Sequence, residues 1–459
     1  MESTPARLVK GPVGRHLVHM TVPTLFGIFT MMMQAFVDTY FIGRVGDREL
    51  AALSFAFPIL MIVTSVAIGL GAGTSSVVAR AVGIHDHRRA RRLATDSLIL
   101  SFAITAVICA VGLATIGPLF RLMGAPEDMI PLIAGYMTIL YSGVPFVVIG
   151  MVGMSSMRAT GDTRLPGMLM VIAAIANVIL DPILIFGIGP IPAMGLNGAA
   201  TAALMARGGM FIGAVSLMYY RLDMLSFNRP DPAELRKSWA DILHVGLPAA
   251  GTNVIIPIAT GVVTAMIARY GPDAVAGFGV ASRIESLMLV VFYAMSAIIG
   301  PFVGQNMSAG KADRIYLALK LCTVFSLVFG LLIAALLALG GNWLPSIFSD
   351  SPEVTRVAGL YLWIVPISYG TYGMVMIMNA SFNGMGKPIP AVMVSIARMT
   401  VLYLPLAFAG DYLFGVAGIF GAYAAANIVS GFFSYAWARS SVRGQCDKHA
   451  TPVIITESV

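Results

Sequence analysis

Twelve times along this chain, charge thins out for long enough to cross a bilayer. The apolar runs lie at about 17–43, 51–83, 93–118, 129–157, 165–187, 195–220, 242–269, 274–306, 315–340, 354–382, 388–409 and 414–438. About 20 consecutive apolar residues span the hydrocarbon layer. With no water there to bond an open backbone, each run is expected to close its hydrogen bonds on itself as a helix. The runs are continuous rather than alternating, which argues against a membrane β-barrel. Only 11% of the 459 residues are charged, where a soluble domain carries roughly 25%. The shortage extends over the whole length, so one cleaved leader cannot account for it. The fold class is therefore an all-α polytopic membrane protein with twelve transmembrane helices.

The same reading narrows the function. No Walker A pattern and no nucleophile triad is visible, so the chain is not expected to be an enzyme. Cys109, Cys322 and Cys446 are scattered and fit neither a disulfide framework nor a metal spacing, and no bound cofactor is expected. In a membrane protein the net charge of +7 speaks for loops beside anionic lipid, not for nucleic acid. Most of the basic residues fall on one side: the N-terminus, Arg88, Arg89, Arg91, Arg92, Arg158, Arg164, Arg221, Arg229, Arg236, Lys237, Lys311, Arg314, Lys387, Arg439, Arg443 and Lys448. The other side has little beyond Arg44, Arg48 and Arg121. The positive-inside rule then places both termini in the cytoplasm, in a multi-pass protein of a bacterial or archaeal inner membrane. The run from His85 to Arg92 reads as a topology and lipid-contact loop.

The halves resemble each other. A shift of 225 residues carries Pro23 onto Pro248, Val45-Gly46 onto Tyr270-Gly271, Ala52 onto Gly277 and Gly161 onto Gly386. This predicts six helices in residues 1–220, a charged linker over 221–241 and six more helices over 242–459. Two bundles of even span number insert with the same orientation, an arrangement suited to alternating access. No filter sequence of the kind a channel uses is present.

Two carboxylates stand out. Asp38 sits in Gln34-Ala-Phe-Val-Asp38-Thr-Tyr-Phe-Ile-Gly43, more than a turn inside the first span. Asp181 follows Asn177 by four residues in the fifth, so both face one side of the helix. Pro182 has no amide donor and is expected to open the local ladder, freeing a carbonyl near Val178 or Leu180. An ionisable group at such depth normally faces a cavity or a partner. Under the 225-residue shift, Asp38 maps onto Val263 and Asp181 onto Leu406. The charge site therefore belongs to the first half alone. Two carboxylates in one apolar cavity could accept a proton, or with the Asn177 oxygen and a hydroxyl could hold Na⁺; the residues leave both open. Gln34, Tyr136, Tyr141 and Thr201 are candidate neighbours.

Other intramembrane charges are Arg283 and Glu285 in the eighth span, two apart and so on different helix faces. Arg398 and Arg207 are further intramembrane charges, open either to pairing inside the protein or to snorkelling of their heads to an interface. The 29 methionines include Met31-Met32-Met33, Met151, Met154, Met157, Met374, Met376 and Met378. Flexible thioethers suit variable apolar ligands, and Met31, Met154, Gln34, Tyr141, Arg283 and Glu285 are the candidates for a substrate cleft.

Together Pro23, the Gln34…Val-Asp38-Thr…Gly43 element, Arg158-Ala-Thr-Gly161-Asp-Thr, and Arg283-Ile-Glu285…Gly304-Gln-Asn306 with Ala309-Gly310 resemble the multidrug and toxic compound extrusion (MATE) family over nearly the whole chain. The resemblance implies two six-helix lobes and a secondary antiporter that exports cationic, aromatic or amphipathic drugs against H⁺ or Na⁺, expected as a monomer among membrane lipids. It places the coupling cation at Asp38, Asn177 and Asp181, with Tyr136 and Thr201 beside them, like DinF-like and archaeal members. If the cation is Na⁺, Asp38, Asn177 and Asp181 would ligate it. Some members carry acidic residues in the seventh and tenth helices; here those spans have none, which tilts the reading towards H⁺ and leaves Glu285 as the main acid of the second half. The alternative is a lipid-linked precursor flippase of the same broad superfamily, disfavoured by twelve spans and an acidic first half.

Overall fold

The computed structural model describes residues 6–228, 231–341 and 343–450; Arg229 lies outside them, as do the side chains of Asp47, Cys446 and Lys448. Among the described residues, twelve helical stretches are long and apolar enough to cross a membrane. In chain order the helices are α1 (Val13–Val45), α2 (Asp47–Gly83), α3 (His87–Leu122), α4 (Ile130–Ala159), α5 (Arg164–Phe186), α6 (Gly195–Tyr220), α7 (Pro232–Ile267), α8 (Pro272–Met288) and α9 (Val290–Ser308). There follow α10 (Ala312–Gly340), the single turn α11 (Trp343–Ser346), α12 (Pro352–Ile364), α13 (Tyr369–Gly384), α14 (Pro388–Ile396), α15 (Leu404–Phe414) and α16 (Val416–Ala450). Large apolar side chains such as Ile172, Ile179, Val328 and Leu332 stand exposed along these helices, as expected where lipid, not water, is the neighbour.

Three expected spans are interrupted. The eighth breaks at Leu289 between α8 and α9, and the tenth passes through a 3-10 turn at Val365–Ser368, where Pro366 has no amide to donate. The eleventh holds a π-helical stretch, Ala397–Tyr403, between α14 and α15. Pro405 follows it closely, and the missing proline N–H frees a carbonyl one turn back, where the ladder can change register. In α5 the helix runs on through Pro182 to Phe186.

The chain forms two compact units. Among the described residues, unit 1 holds those within 19–82 and 86–254, and unit 2 holds 6–18, 83–85 and those from Ile255 to Ala450. In unit 1, α1 and α5 run parallel in fixed register. A Cβ on Gly167 would lie 2.6 Å from the Pro23 carbonyl oxygen, and one on Gly27 would lie 3.0 Å from Met170 Sδ. Small residues at both crossings let the backbones approach this closely. Replacing Gly167 by Leu forces α1 away and is expected to cost about 1–3 kcal/mol. Thermal unfolding of the purified variant in detergent should show a lower midpoint, and an unchanged one would contradict the close crossing.

Also in unit 1, the basic run at the start of α3 clamps the 221–241 linker. Arg91 pairs with Asp223 at 3.0 Å and donates to the Leu225 carbonyl, Arg92 donates to the Asn228 carbonyl, and Arg89 lies 3.6 Å from Asp241. Arg92 also lies 2.7 Å from Asp96, which is fully buried.

In unit 2 the start of the chain is a strap. Leu8 and Val9 are buried. The Leu8 amide donates to Gln305 Oε1 and its carbonyl accepts from Asn306 Nδ2 and Arg314 Nη2. Lys311 Nζ donates to the Val9 carbonyl at 2.8 Å, and Arg314 Nη1 to the Gly11 carbonyl at 2.6 Å. The Gly304-Gln-Asn306 element and the basic residues after it thus serve as backbone ligands for the strap.

Candidate functional site

The α1–α5 register builds the polar centre of unit 1. Gln34 faces Asn177 across 143 positions of sequence, and Gly27 faces Met170 at that same spacing. One more turn along both helices, it opposes Asp38 to Asp181. Asn177 and Asp181 are fully buried on one face of α5, and Asp38 is half-buried on α1. Gln34 Nε2 donates to Asn177 Oδ1 and, at 3.3 Å, to Asp38 Oδ2; Asn177 Nδ2 donates to Asp181 Oδ1 at 3.0 Å. Two amides therefore join two carboxyl groups in one chain. The carboxyls also meet each other within hydrogen-bonding reach, yet Asp38 Oδ1 and Asp181 Oδ2 have no donor. Two buried carboxylate oxygens without a donor, in neighbouring carboxyl groups, call for a proton or a cation.

The surroundings are mixed. Tyr136 on α4 is buried within electrostatic reach of both carboxylates and of Arg207. Arg207, on α6, lies within electrostatic reach of Asp38 as well. Thr201 Oγ1 spends its proton on the Asn197 carbonyl at 2.8 Å, which leaves its oxygen free to accept. Tyr141 points elsewhere: its ring fills the space against Gly112 of α3. Met154, Met170 and Met210 form a buried cluster with Met31 and Met151 packed on it. Met31, Gln34 and Asp38 share a face of α1, so this cluster continues the site along the helices.

Unit 2 has its own charged centre. Glu285 is buried and accepts hydrogen bonds from the Tyr361 and Tyr423 hydroxyls. Arg398 is also buried and donates to Asn427 Oδ1 at 2.8 Å. Arg283, two residues from Glu285, is exposed on another face of α8. Tyr361 and Tyr423 escaped the sequence reading because tyrosine is common in apolar spans. The repeat held the missing signal, since Tyr361 is Tyr136 shifted by 225 positions.

Residues 23–183 match the MatE family, and residues 248–409 match it a second time. The chain is a MATE-family membrane transporter. The two matched stretches start 225 residues apart, at 23 and 248, so the family unit is the repeat itself. As a member of the wider MOP superfamily it is a secondary transporter of small molecules and not an enzyme. A FAD transporter of Shewanella oneidensis is 40% identical over 93% of this chain and 95% of its own length. A probable multidrug resistance protein of Bacillus subtilis, YoeA, is 24% identical over 94% of this chain and 96% of its own. Among solved structures, the Vibrio cholerae MATE transporter VcmN in its bent form superposes with a TM-score of 0.89 at 31% identity, covering 94% of this chain and 98% of that one.

Proposed function

We propose that this MATE transporter exports planar aromatic compounds, driven by a cation that binds between Asp38 and Asp181. The observation that carries the coupling is the pair of donorless oxygens, Asp38 Oδ1 and Asp181 Oδ2. A proton shared by the two carboxyl groups would give these oxygens a partner. Na⁺ would need several oxygen ligands beyond these two, whereas a proton needs only the pair, so H⁺ is the favoured ion. Filling the gap changes the charge between α1 and α5 and hence their packing, the local event that export uses. Tyr136, Thr201 and Arg207 set the field around it. The carboxylate–amide trio of the first half supports placement with the DinF-like and archaeal branch.

For the substrate, flavin adenine dinucleotide is the first reading, because the relative at 40% identity is named as its transporter. Cationic aromatic drugs are the second, supported by multidrug proteins at 20–24% identity. The one-sided distribution of Lys and Arg supports an inner-membrane protein with both termini in the cytoplasm. The test is flux in proteoliposomes with a pH gradient or a Na⁺ gradient imposed alone. The pH gradient should drive flavin dinucleotide across the membrane. Transport of ethidium without the flavin would favour the second reading, and transport of neither under either gradient would overturn the proposal.

A further inference from the structure

Unit 2 contains a cavity of about 240 Å³. Its walls include six aromatic rings, those of Phe278, Tyr293, Tyr361, Tyr372, Tyr403 and Tyr423, and two charges, Glu285 and Arg398. The guanidinium of Arg398 lies 4.6 Å from the centre of the Tyr372 ring. Its Nε–H has no partner although the residue is only 2% exposed. Arg398 and Tyr403 both come from the π-helical stretch, so the altered ladder ahead of Pro405 is what supplies the guanidinium and one of the aromatic walls. Glu285 already accepts from two tyrosine hydroxyls, yet a carboxylate has about four lone-pair sites and can take another N–H.

The charges decide what fits. An organic cation would meet Arg398 and an anion would meet Glu285, each a like charge in a space with little water. An uncharged flat ring meets neither penalty. It stacks on the tyrosine faces, gives an N–H to Glu285 and receives the idle Nε–H of Arg398 on a carbonyl. The cavity is smaller than the roughly 300–1,000 Å³ that holds a drug-sized ligand, so it takes one fused ring system and leaves the remainder of a larger molecule outside.

The duplication points to the same place. Val263, which stands where Asp38 stands in the first half, is part of the cavity wall. Tyr361, the counterpart of Tyr136, is part of it too. One repeat position thus serves a carboxylate pair in unit 1 and an aromatic chamber in unit 2.

We propose that this chamber binds an uncharged fused heteroaromatic ring bearing an N–H beside a C=O, such as the isoalloxazine of a flavin, with Glu285 and Arg398 reading its edge. This rests on the export reading and gives that reading a substrate subsite. The probe is riboflavin, whose emission is quenched when it stacks on tyrosine, added to the full-length protein in lipid nanodiscs. Wild type should quench it saturably, and FAD should displace it while ethidium does not. Glu285→Gln and Arg398→Gln should each weaken binding about tenfold, the effect of one lost hydrogen bond to a charged group. Absent saturable quenching, or displacement by ethidium as effective as by FAD, would overturn the site. Wild type that binds riboflavin but exports no flavin dinucleotide under either gradient would sink the export reading and leave the chamber. Wild type that exports it, while both variants bind riboflavin as tightly as before, would sink the chamber and leave the export reading.

Discussion

Asp38→Asn protein, reconstituted into proteoliposomes, is expected to lose gradient-driven export by about a hundredfold, near the upper end of what one coupling free energy supplies. The substitution preserves shape, and an asparagine oxygen still accepts from Gln34 as Asp38 Oδ2 does at 3.3 Å. What disappears is the charge that a proton or Na⁺ neutralises opposite Asp181. Folding should therefore survive, read as an unchanged elution profile and unfolding midpoint, while flux does not. Downhill exchange of substrate without a gradient should persist, because it needs no coupling ion. A variant that keeps full gradient-driven flux would remove Asp38 from the coupling.

Arg92→Met is expected to destabilise the protein by about 3–5 kcal/mol, the range for removing one partner of a buried ion pair. Asp96 is fully buried, and Arg92 Nη2 is its counter-ion at 2.7 Å. The contact is close but poorly aligned for a hydrogen bond, since neither Asp96 oxygen gains a donor. Such a pair contributes little beyond cancelling its own desolvation. Arg92→Met with Asp96→Leu should accordingly recover most of the loss. Chemical unfolding in mild detergent, followed by tryptophan emission, compares the three proteins. A single variant as stable as wild type would contradict the burial of this pair.

Much of the architecture could be read directly from the residues. Twelve apolar runs become, among the described residues, twelve stretches long enough to span a membrane, because a chain in lipid has few other ways to satisfy its backbone. The breaks were harder to anticipate. Pro366 and Pro405 lie in the runs, but whether a proline shifts a helix's register or leaves the helix running on, as at Pro182, depends on what packs around it. Asp38 and Asp181 announced themselves by charge in an apolar setting. Their relation did not, since it requires the spacing of 143 that the Gly27–Met170 and Gln34–Asn177 contacts share. Gln34 then links both carboxylate segments, a role no local pattern reveals. Arginines left a choice open. The long stem of an arginine can reach an interface or fold inward, and only the neighbours decide. For Arg398 those neighbours, Asn427 and Tyr372, come from other helices. Tyr141 shows the same limit: a polar aromatic near the expected centre turns instead towards the space that Gly112 leaves open.

The strap at the start of the chain sets an order of events during synthesis. Leu8 is held by Arg314, 306 residues later. At the roughly 5–20 residues per second of a working ribosome, that partner emerges about 15–60 s after the segment it must hold. The first helices therefore enter the bilayer with their leading end untethered, and their orientation has to come from the charge of the early loops. Only when α10 begins to leave the tunnel can Leu8 and its neighbours settle, which makes their docking a late check that the second repeat has arrived.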